Sequence, residues 1–110
     1  MPLTTFSMNC SRHDVVLLPI PFTDLTSRKV RPAVVIGRNG VDLFLVPISS
    51  VLSNTDFPLG DWQAAGLNVP CGVKAQLSTV EEKLVVKIVG QLSEVDSQVL
   101  NLRLRAWLGV

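Results

Sequence analysis

Asn39-Gly40 stands between two apolar runs, residues 33–36 before it and residues 43–48 after it. Asn-Gly in that setting is the strongest short-range hairpin signal, because both residues accept the positive φ of a type I′ turn. It predicts two antiparallel strands, residues 32–38 and 41–48, and so commits the chain to a β scaffold. Residues 33–36 are apolar throughout, as expected for a strand covered on both faces. In the partner strand Leu43, Leu45 and Pro47 alternate with Asp42, Phe44 and Val46, which points one face at the core and leaves the other partly covered.

The remaining elements follow from similar signals. Val15-Val16-Leu17-Leu18 is β-branched and apolar and is bounded by Pro19 and Pro21, which reads as a short strand with an extended exit. Residues 49–70 are polar and punctuated. At their centre Asp61-Trp62-Gln63-Ala64-Ala65 suits one helical turn, with Gly60 or Asp61 as cap and Gly66 as stop. Residues 71–77 and 84–92 read as strands joined by a charged connection, Glu81-Glu82-Lys83. Ser93 is an N-cap followed by Glu94 and Asp96 in the first turn. Val95, Val99, Leu102 and Ala106 recur at helical spacing, with Leu100, Leu104 and Trp107 widening the stripe, and Gly109 is placed to stop the helix. The order is thus about five short strands and then a helix over 94–108. It predicts a mainly β domain with a C-terminal α-helix, a small, strongly bent antiparallel barrel or sandwich on which the helix packs.

Composition limits what such a domain can do. With 110 residues there is room for one core, and 47% hydrophobic against 17% charged residues is the balance of a globular chain. The formal net charge of +1 gives no overall field, so any affinity for nucleic acid must come from local clustering. Cys10 and Cys71 lie far apart without a CxxC pair. They read as reduced thiols of a cytoplasmic protein, with one disulfide as the alternative. His13 is the single histidine, too few for a zinc site, so no metal is expected. No stretch approaches the ~20 apolar residues needed to cross a membrane. The N-terminus lacks the apolar core of a secretory signal. Residues 1–12 read as a flexible arm and residues 13–110 as the domain.

There is no Gly-rich phosphate loop, no GxSxG elbow and no HExxH. Chemistry is left to the basic run Arg28-Lys29-Val30-Arg31 and to Ser49-Ser50. Charge runs are usually solvated loops. Arg31 differs from its neighbours because it directly precedes Pro32, at the mouth of a buried strand, where its backbone is held extended. A guanidinium fixed there can grip a phosphate through two parallel hydrogen bonds. The hairpin brings Ser49, at the end of the second strand, near Arg31. That pair reads either as an anion pocket or as ordinary turn formers at strand ends.

The segments DVVLLPIPFTDLTSRKVRPAVVI, FLVPISS, DFPLGDWQAAGLNVP, VKAQLSTVEEKLV and GQLSEVDSQVL, in that order, resemble the PemK-like branch of the MazF/PemK toxin family over residues 14–108. The resemblance implies an SH3-like barrel with a C-terminal helix, acting as a homodimer. It further implies the toxin of a type II toxin–antitoxin pair, a sequence-specific endoribonuclease that cleaves single-stranded RNA without metal or cofactor. In such enzymes the RNA 2′-hydroxyl attacks its own phosphate, leaving a 2′,3′-cyclic phosphate and a 5′-hydroxyl end. A cognate antitoxin is then the expected protein partner.

Carried over by position, Arg31 matches the arginine of the family's Arg-Pro strand entry, and Ser49 matches the threonine that hydrogen-bonds the phosphate. Ser50 matches its polar neighbour, Lys74 an arginine of several members, and Gln76 a nearby glutamine. A chain of net charge +1 can still bind RNA if Arg28, Lys29, Arg31, Arg38 and Lys74 gather on one face. The family's Ser-Glu-Gln or His-Glu-Gln loop is replaced by Leu25-Thr26-Ser27-Arg28, and Lys74-Ala75-Gln76 is one residue short. A general base is therefore unassigned. Asp24 is the carboxylate candidate, with an Asx-turn as its alternative role. The alternative function is a catalytically degenerate relative, or a CcdB-like poison that acts by binding a protein target.

Overall fold

Three consecutive antiparallel strands form the centre of the structure, a computed structural model that describes residues 9–19 and 29–110. They are β1 (Asp14–Pro19), β2 (Val30–Asn39) and β3 (Asp42–Ser49). Asp24, Arg28 and the rest of residues 20–28 lie outside the described residues. The expected hairpin joins β2 to β3, with its turn one residue later than the Asn-Gly pair suggested. Asn39 still pairs with Asp42, and the two turn residues are Gly40 and Val41. Gly40 has φ 61° and Val41 does not share the positive sign, so the turn follows the pattern with glycine at its first central position.

Strand β7 (Lys87–Gln91) flanks β1 on the side away from β2. The outer edge of β3 is shared along its length. Strand β6 (Ser78–Glu81) pairs with Asp42 to Leu45, and β5 (Gly72–Val73), itself paired with β4 (Phe57–Pro58), takes Ile48 and Ser49. The strand expected over 71–77 is thus reduced to Gly72–Val73, and a further strand forms over 78–81. After Val73 the chain makes a tight local turn, Gln76 N–H donating to the Lys74 carbonyl at 2.8 Å, and rejoins the same edge in the same direction as β6. The expected strand over 84–92 shortens to β7, because residues 82–84 form a 3-10 turn. Register shifts between Val35 and Gly37 and between Val15 and Val16 add local bends. The result is the expected mainly antiparallel β architecture with a C-terminal helix.

The central strands are covered on both faces, which is why they read as near-continuous apolar runs. Val15, Val34, Val46 and Ile48 pack with Phe57, Leu59, Val73 and Leu92 beneath Leu100 and Leu104 of the helix. Val16, Leu18, Ala33, Val35, Leu43 and Leu45 point the other way, against Cys10, Val80 and Val85. The two cysteines are free thiols, one in each cluster.

Helix α1 (Glu94–Leu108) has the expected cap and stop: Ser93 Oγ accepts from Asp96 N–H at 3.1 Å, and Gly109 adopts φ 73°. Its buried face is only one side of the expected stripe, Leu100 and Leu104 with Val99 and Trp107 partly buried beside them. Asp96, Ser97, Leu100 and Leu104 face inward, while Val95 and Leu102 are 65% and 67% exposed. A polar residue decides the rotation. The Asp96 carboxylate, almost fully buried, accepts from Gly60 N–H at 3.0 Å and from Asp61 N–H at 2.9 Å. Within the segment read as an N-terminal arm, residues 9–12 meet the barrel. Cys10 is buried and its N–H donates to Glu82 Oε2, whose carboxylate also pairs with Arg38 at 2.8 Å.

Candidate functional site

A cavity of about 780 Å3 opens where β1 and β3 end and β2 and β7 begin. Its floor is apolar. Leu17 is in register with Pro32 on one side and Lys87 on the other, and Ile48 and Val89 complete the surface. Arg31, Ser49, Ser50, Lys74 and Lys87 line it with polar groups. Ala33 pairs with Pro47. Continuing that register by two residues sets Arg31 opposite Ser49, so the hairpin brings this pair together as the sequence suggested.

Each polar group is positioned by backbone chemistry. Arg31 is exposed within β2, next to Pro32, with an extended backbone. Ser49 Oγ accepts from Val51 N–H at 3.0 Å, an ST-turn that closes the strand. That bond occupies one lone pair and leaves the hydroxyl proton to be donated into the cavity. Lys74 follows β5 and is anchored through its N–H to the Pro47 carbonyl at 2.9 Å. Among the described residues none of Arg31, Lys74 and Lys87 has a carboxylate partner. Arg38, Lys83 and Arg103 by contrast pair with Glu82, Glu81 and Asp56. Uncompensated cations over an apolar floor suit an anionic ligand with flat apolar parts.

The far wall is the segment from Gly66 to Val69. The turn before it is held by the bond from Ala65 N–H to the Asp61 carbonyl, as the sequence anticipated, and Gly66 ends it with φ 90°. The missed element is the Asp96 carboxylate, which caps the turn's first amides from the helix. Gly90 serves the same contact from β7, since a Cβ there would lie 2.4 Å from the Ala65 carbonyl oxygen. Cys71 also lines the cavity. Burial pushes its thiol pKa up and its Sγ donates to the Val69 carbonyl, which makes it a packing residue and a poor nucleophile.

Of the sequence-derived site residues, Arg31, Ser49, Ser50 and Lys74 converge on the cavity, while Lys29 and Gln76 are not among its lining residues. Asp24 and Arg28 lie outside the described residues. Arg38 does not join the basic face. It sits at the opposite end of β2, roughly 23 Å along the strand from Arg31 at ~3.3 Å per residue, and clamps Glu82 and the Cys10 carbonyl. Lys87 was missed, because in sequence it is one lysine in a strand and only the pairing of β7 with β1 brings it to the cavity. The described lining residues include no carboxylate and no imidazole.

The fold is thus a small antiparallel β domain with a C-terminal helix, and the cavity at its strand ends is lined by Arg31, Lys74 and Lys87 with no carboxylate among its described lining residues. The chain belongs to the PemK-like, MazF-like toxin family of type II toxin–antitoxin systems, whose model matches residues 11–108. Its fold is similar to that of Mycobacterium tuberculosis toxin MazF-mt6, with TM-score 0.69 and 14% identity over 88% of this chain and 97% of that one. It is also similar to an endoribonuclease in complex with its cognate antitoxin from Mycobacterial species, with TM-score 0.67 and 16% identity over 94% of this chain and 97% of that one. A further endoribonuclease from Mycobacterial species matches with TM-score 0.67 and 15% identity over 94% of this chain and 95% of that one. No curated protein sequence matches significantly.

Proposed function

We propose that this toxin is a metal-independent, sequence-specific endoribonuclease that cleaves single-stranded RNA, with Arg31 and Ser49 at the scissile phosphate. The observation that carries the reading is the convergence of Arg31, Ser49 and Lys74 on one cavity, with no carboxylate among its described lining residues. In the reaction the 2′-oxygen attacks the adjacent phosphorus and the P–O5′ bond breaks, the 5′-oxygen taking a proton from solvent, which gives a 2′,3′-cyclic phosphate and a 5′-hydroxyl end. Negative charge gathers on the equatorial oxygens as this happens. The Arg31 guanidinium and the Ser49 hydroxyl, both held by the strand ends, stabilise that charge more than the ground state. Lys74 adds a point charge, and Ser50 and Gln76 are assigned to the RNA beyond the reacting atoms, with Arg28 and Lys29 as positioning charges. Asp24 is the candidate to take the 2′-hydroxyl proton.

The chain is assigned to the cytoplasm, as a homodimer neutralised by a cognate antitoxin. Two apolar side chains left outside on one face of the helix, Val95 and Leu102, support the dimer. Light scattering is expected to give twice the 12.0 kDa chain mass at micromolar concentration, and a monomer would refute it. The activity is tested with mixed RNA incubated in EDTA, the new ends being mapped for wild type, Arg31→Ala and Ser49→Ala. Intact RNA, or cleavage that returns only with added metal, counts against the reading.

A second reading is a poison that binds a protein target through the same barrel, favoured by the lack of a carboxylate or imidazole among the described lining residues. Growth inhibition by Arg31→Ala at the wild-type level would select it.

A further inference from the structure

Lys87 was not anticipated by sequence, and its position assigns it a distinct role. Sheet order is β5, β3, β2, β1, β7. Across it, Lys74 follows β5, Ser49 ends β3, Arg31 opens β2, Leu17 lies near the end of β1 and Lys87 begins β7. The polar groups of the cavity are therefore spread over neighbouring strands, with Arg31 and Ser49 between two lysines. Lys87 pairs with Leu17, which pairs with Pro32, whereas Arg31 pairs with Leu18, so Lys87 lies one register step from Arg31 and leaves the sheet on the alternate face. Adjacent strands are ~4.8 Å apart, so Lys87 stands roughly 10 Å from the β2 strand that carries Arg31. That separation in strand and register lets Lys87 meet a different phosphate from the one at Arg31, as in a linear polyanion laid across the strand ends.

We propose that Lys87 binds a phosphate flanking the scissile one, on the β7 side, and so fixes the path of the RNA strand across the cavity. The proposal rests on the ribonuclease reading for the words "scissile" and "RNA". The contact itself requires only a single-stranded polyanion. Lys87 is exposed, lines the cavity and has no carboxylate partner among the described residues. A lysine on a flexible stem is suited to a point contact with a phosphate away from the reacting atoms, whereas the planar arginine fork suits the transition state. Leu17 between them keeps the floor apolar, where a sugar or base edge can lie.

The test uses a fluorescent, random-sequence single-stranded DNA decamer, which lacks the 2′-hydroxyl and cannot be cleaved by this chemistry. Anisotropy titrations at several salt concentrations compare wild type, Lys87→Ala and Lys87→Arg. Lys87→Ala is expected to bind about fivefold more weakly at low salt. It is also expected to lower the slope of log K against log salt by about 0.7, the value for one phosphate contact on a single strand. Lys87→Arg restores both. An unchanged affinity and slope in Lys87→Ala, or no binding by wild type, overturns the proposal. Cleavage of a matching RNA is scored separately: a wild type that binds with this signature and leaves RNA intact counts against the ribonuclease reading and not against the Lys87 contact.

Discussion

Gly66 and Val89 meet backbone to backbone: a Cβ added to Gly66 would lie 2.3 Å from the Val89 carbonyl oxygen, and Gly66 already holds φ 90°. This contact seats the 61–66 turn on β7 and thereby sets the position of the cavity wall from Gly66 to Val69. Gly66→Ala meets both a forbidden contact and an unfavourable dihedral. It is expected to destabilise the fold by at least about 2 kcal/mol. Gly40→Ala is the control, because Gly40 has φ 61° with nothing within 4 Å of an added Cβ. Its cost should be only the left-handed penalty, about 1 kcal/mol. Urea unfolding of the two variants checks the difference, and equal costs would show that the turn does not bear on β7.

Asp96 holds the other end of the same turn. Its carboxylate is the acceptor for Gly60 and Asp61 N–H and is 3% exposed as a residue. Asp96→Ala leaves both amides without a partner in a partly buried setting, at a cost of about 2–3 kcal/mol. Asp96→Asn keeps one oxygen as acceptor and should lose roughly half as much. Amide exchange at Gly60 and Asp61 should accelerate in both variants, with the wall loop opening before the rest of the sheet.

The central strands and the helix ends were legible because local chemistry specifies them. Val15–Leu18, the 33–36 run and the Ser93 and Gly109 caps need no knowledge of the rest of the chain. The helix face was misread for a nonlocal reason: Val95 and Leu102 supply an apolar spacing, but the two amides at Gly60 and Asp61 require the Asp96 carboxylate, and turning it inward turns those side chains out. The site divided in the same way. Arg31 and Ser49 are linked by a hairpin register that sequence can supply, whereas Lys87 reaches the cavity only through the pairing of β7 with β1. The condition that Arg38 share a face with Arg31 is not met, because strand length separates residues that are close in sequence, and Glu82, which captures Arg38, lies 44 residues away.

That Arg38–Glu82 pair predicts how stability responds to acid. The Arg38 hydrogen bond, reinforced by Cys10 N–H, holds the Glu82 carboxyl below its ordinary pKa. A depressed folded-state pKa contributes stability that is fully present above the unfolded value, ~4.3, and is lost as pH falls through the lower folded value. Unfolding midpoints measured between pH 6 and pH 3 should therefore fall more steeply for wild type than for Glu82→Gln. Parallel curves would show the pair to be too solvent-screened to matter.

Cys10 predicts the opposite limb. Burial, together with the nearby Glu82 charge, raises its thiol from 9.0 to about 11. A raised folded-state pKa contributes stability that is fully present below the unfolded value and is lost as pH rises through the folded one. The loss should fall between pH 9 and pH 11 and be absent from Cys10→Ala. Thiol alkylation at pH 8 should also be slow at Cys10 in the folded protein and fast in urea, since the thiolate is the reacting form.

At the cavity, Arg31 and Ser49 are expected to separate cleanly from the residues that build it. Arg31→Ala removes a charge-stabilising donor from an exposed strand end and should leave the urea midpoint unchanged, while RNA cleavage falls ~100- to 1000-fold, the cost of about 2.7–4 kcal/mol typical for such a donor. Arg31→Lys keeps the charge and loses the two-pronged geometry, so most of the defect should remain. Ser49 has two jobs: its oxygen accepts from Val51 N–H, and its hydroxyl proton is left free to be donated into the cavity that it lines. Ser49→Thr preserves both and should stay active. Ser49→Ala loses both, with a comparable fall in cleavage and a small loss of stability, about 0.5–1.5 kcal/mol, from the broken turn. Equal activity of Ser49→Ala and wild type would place the phosphate elsewhere in the cavity and remove Ser49 from the reaction.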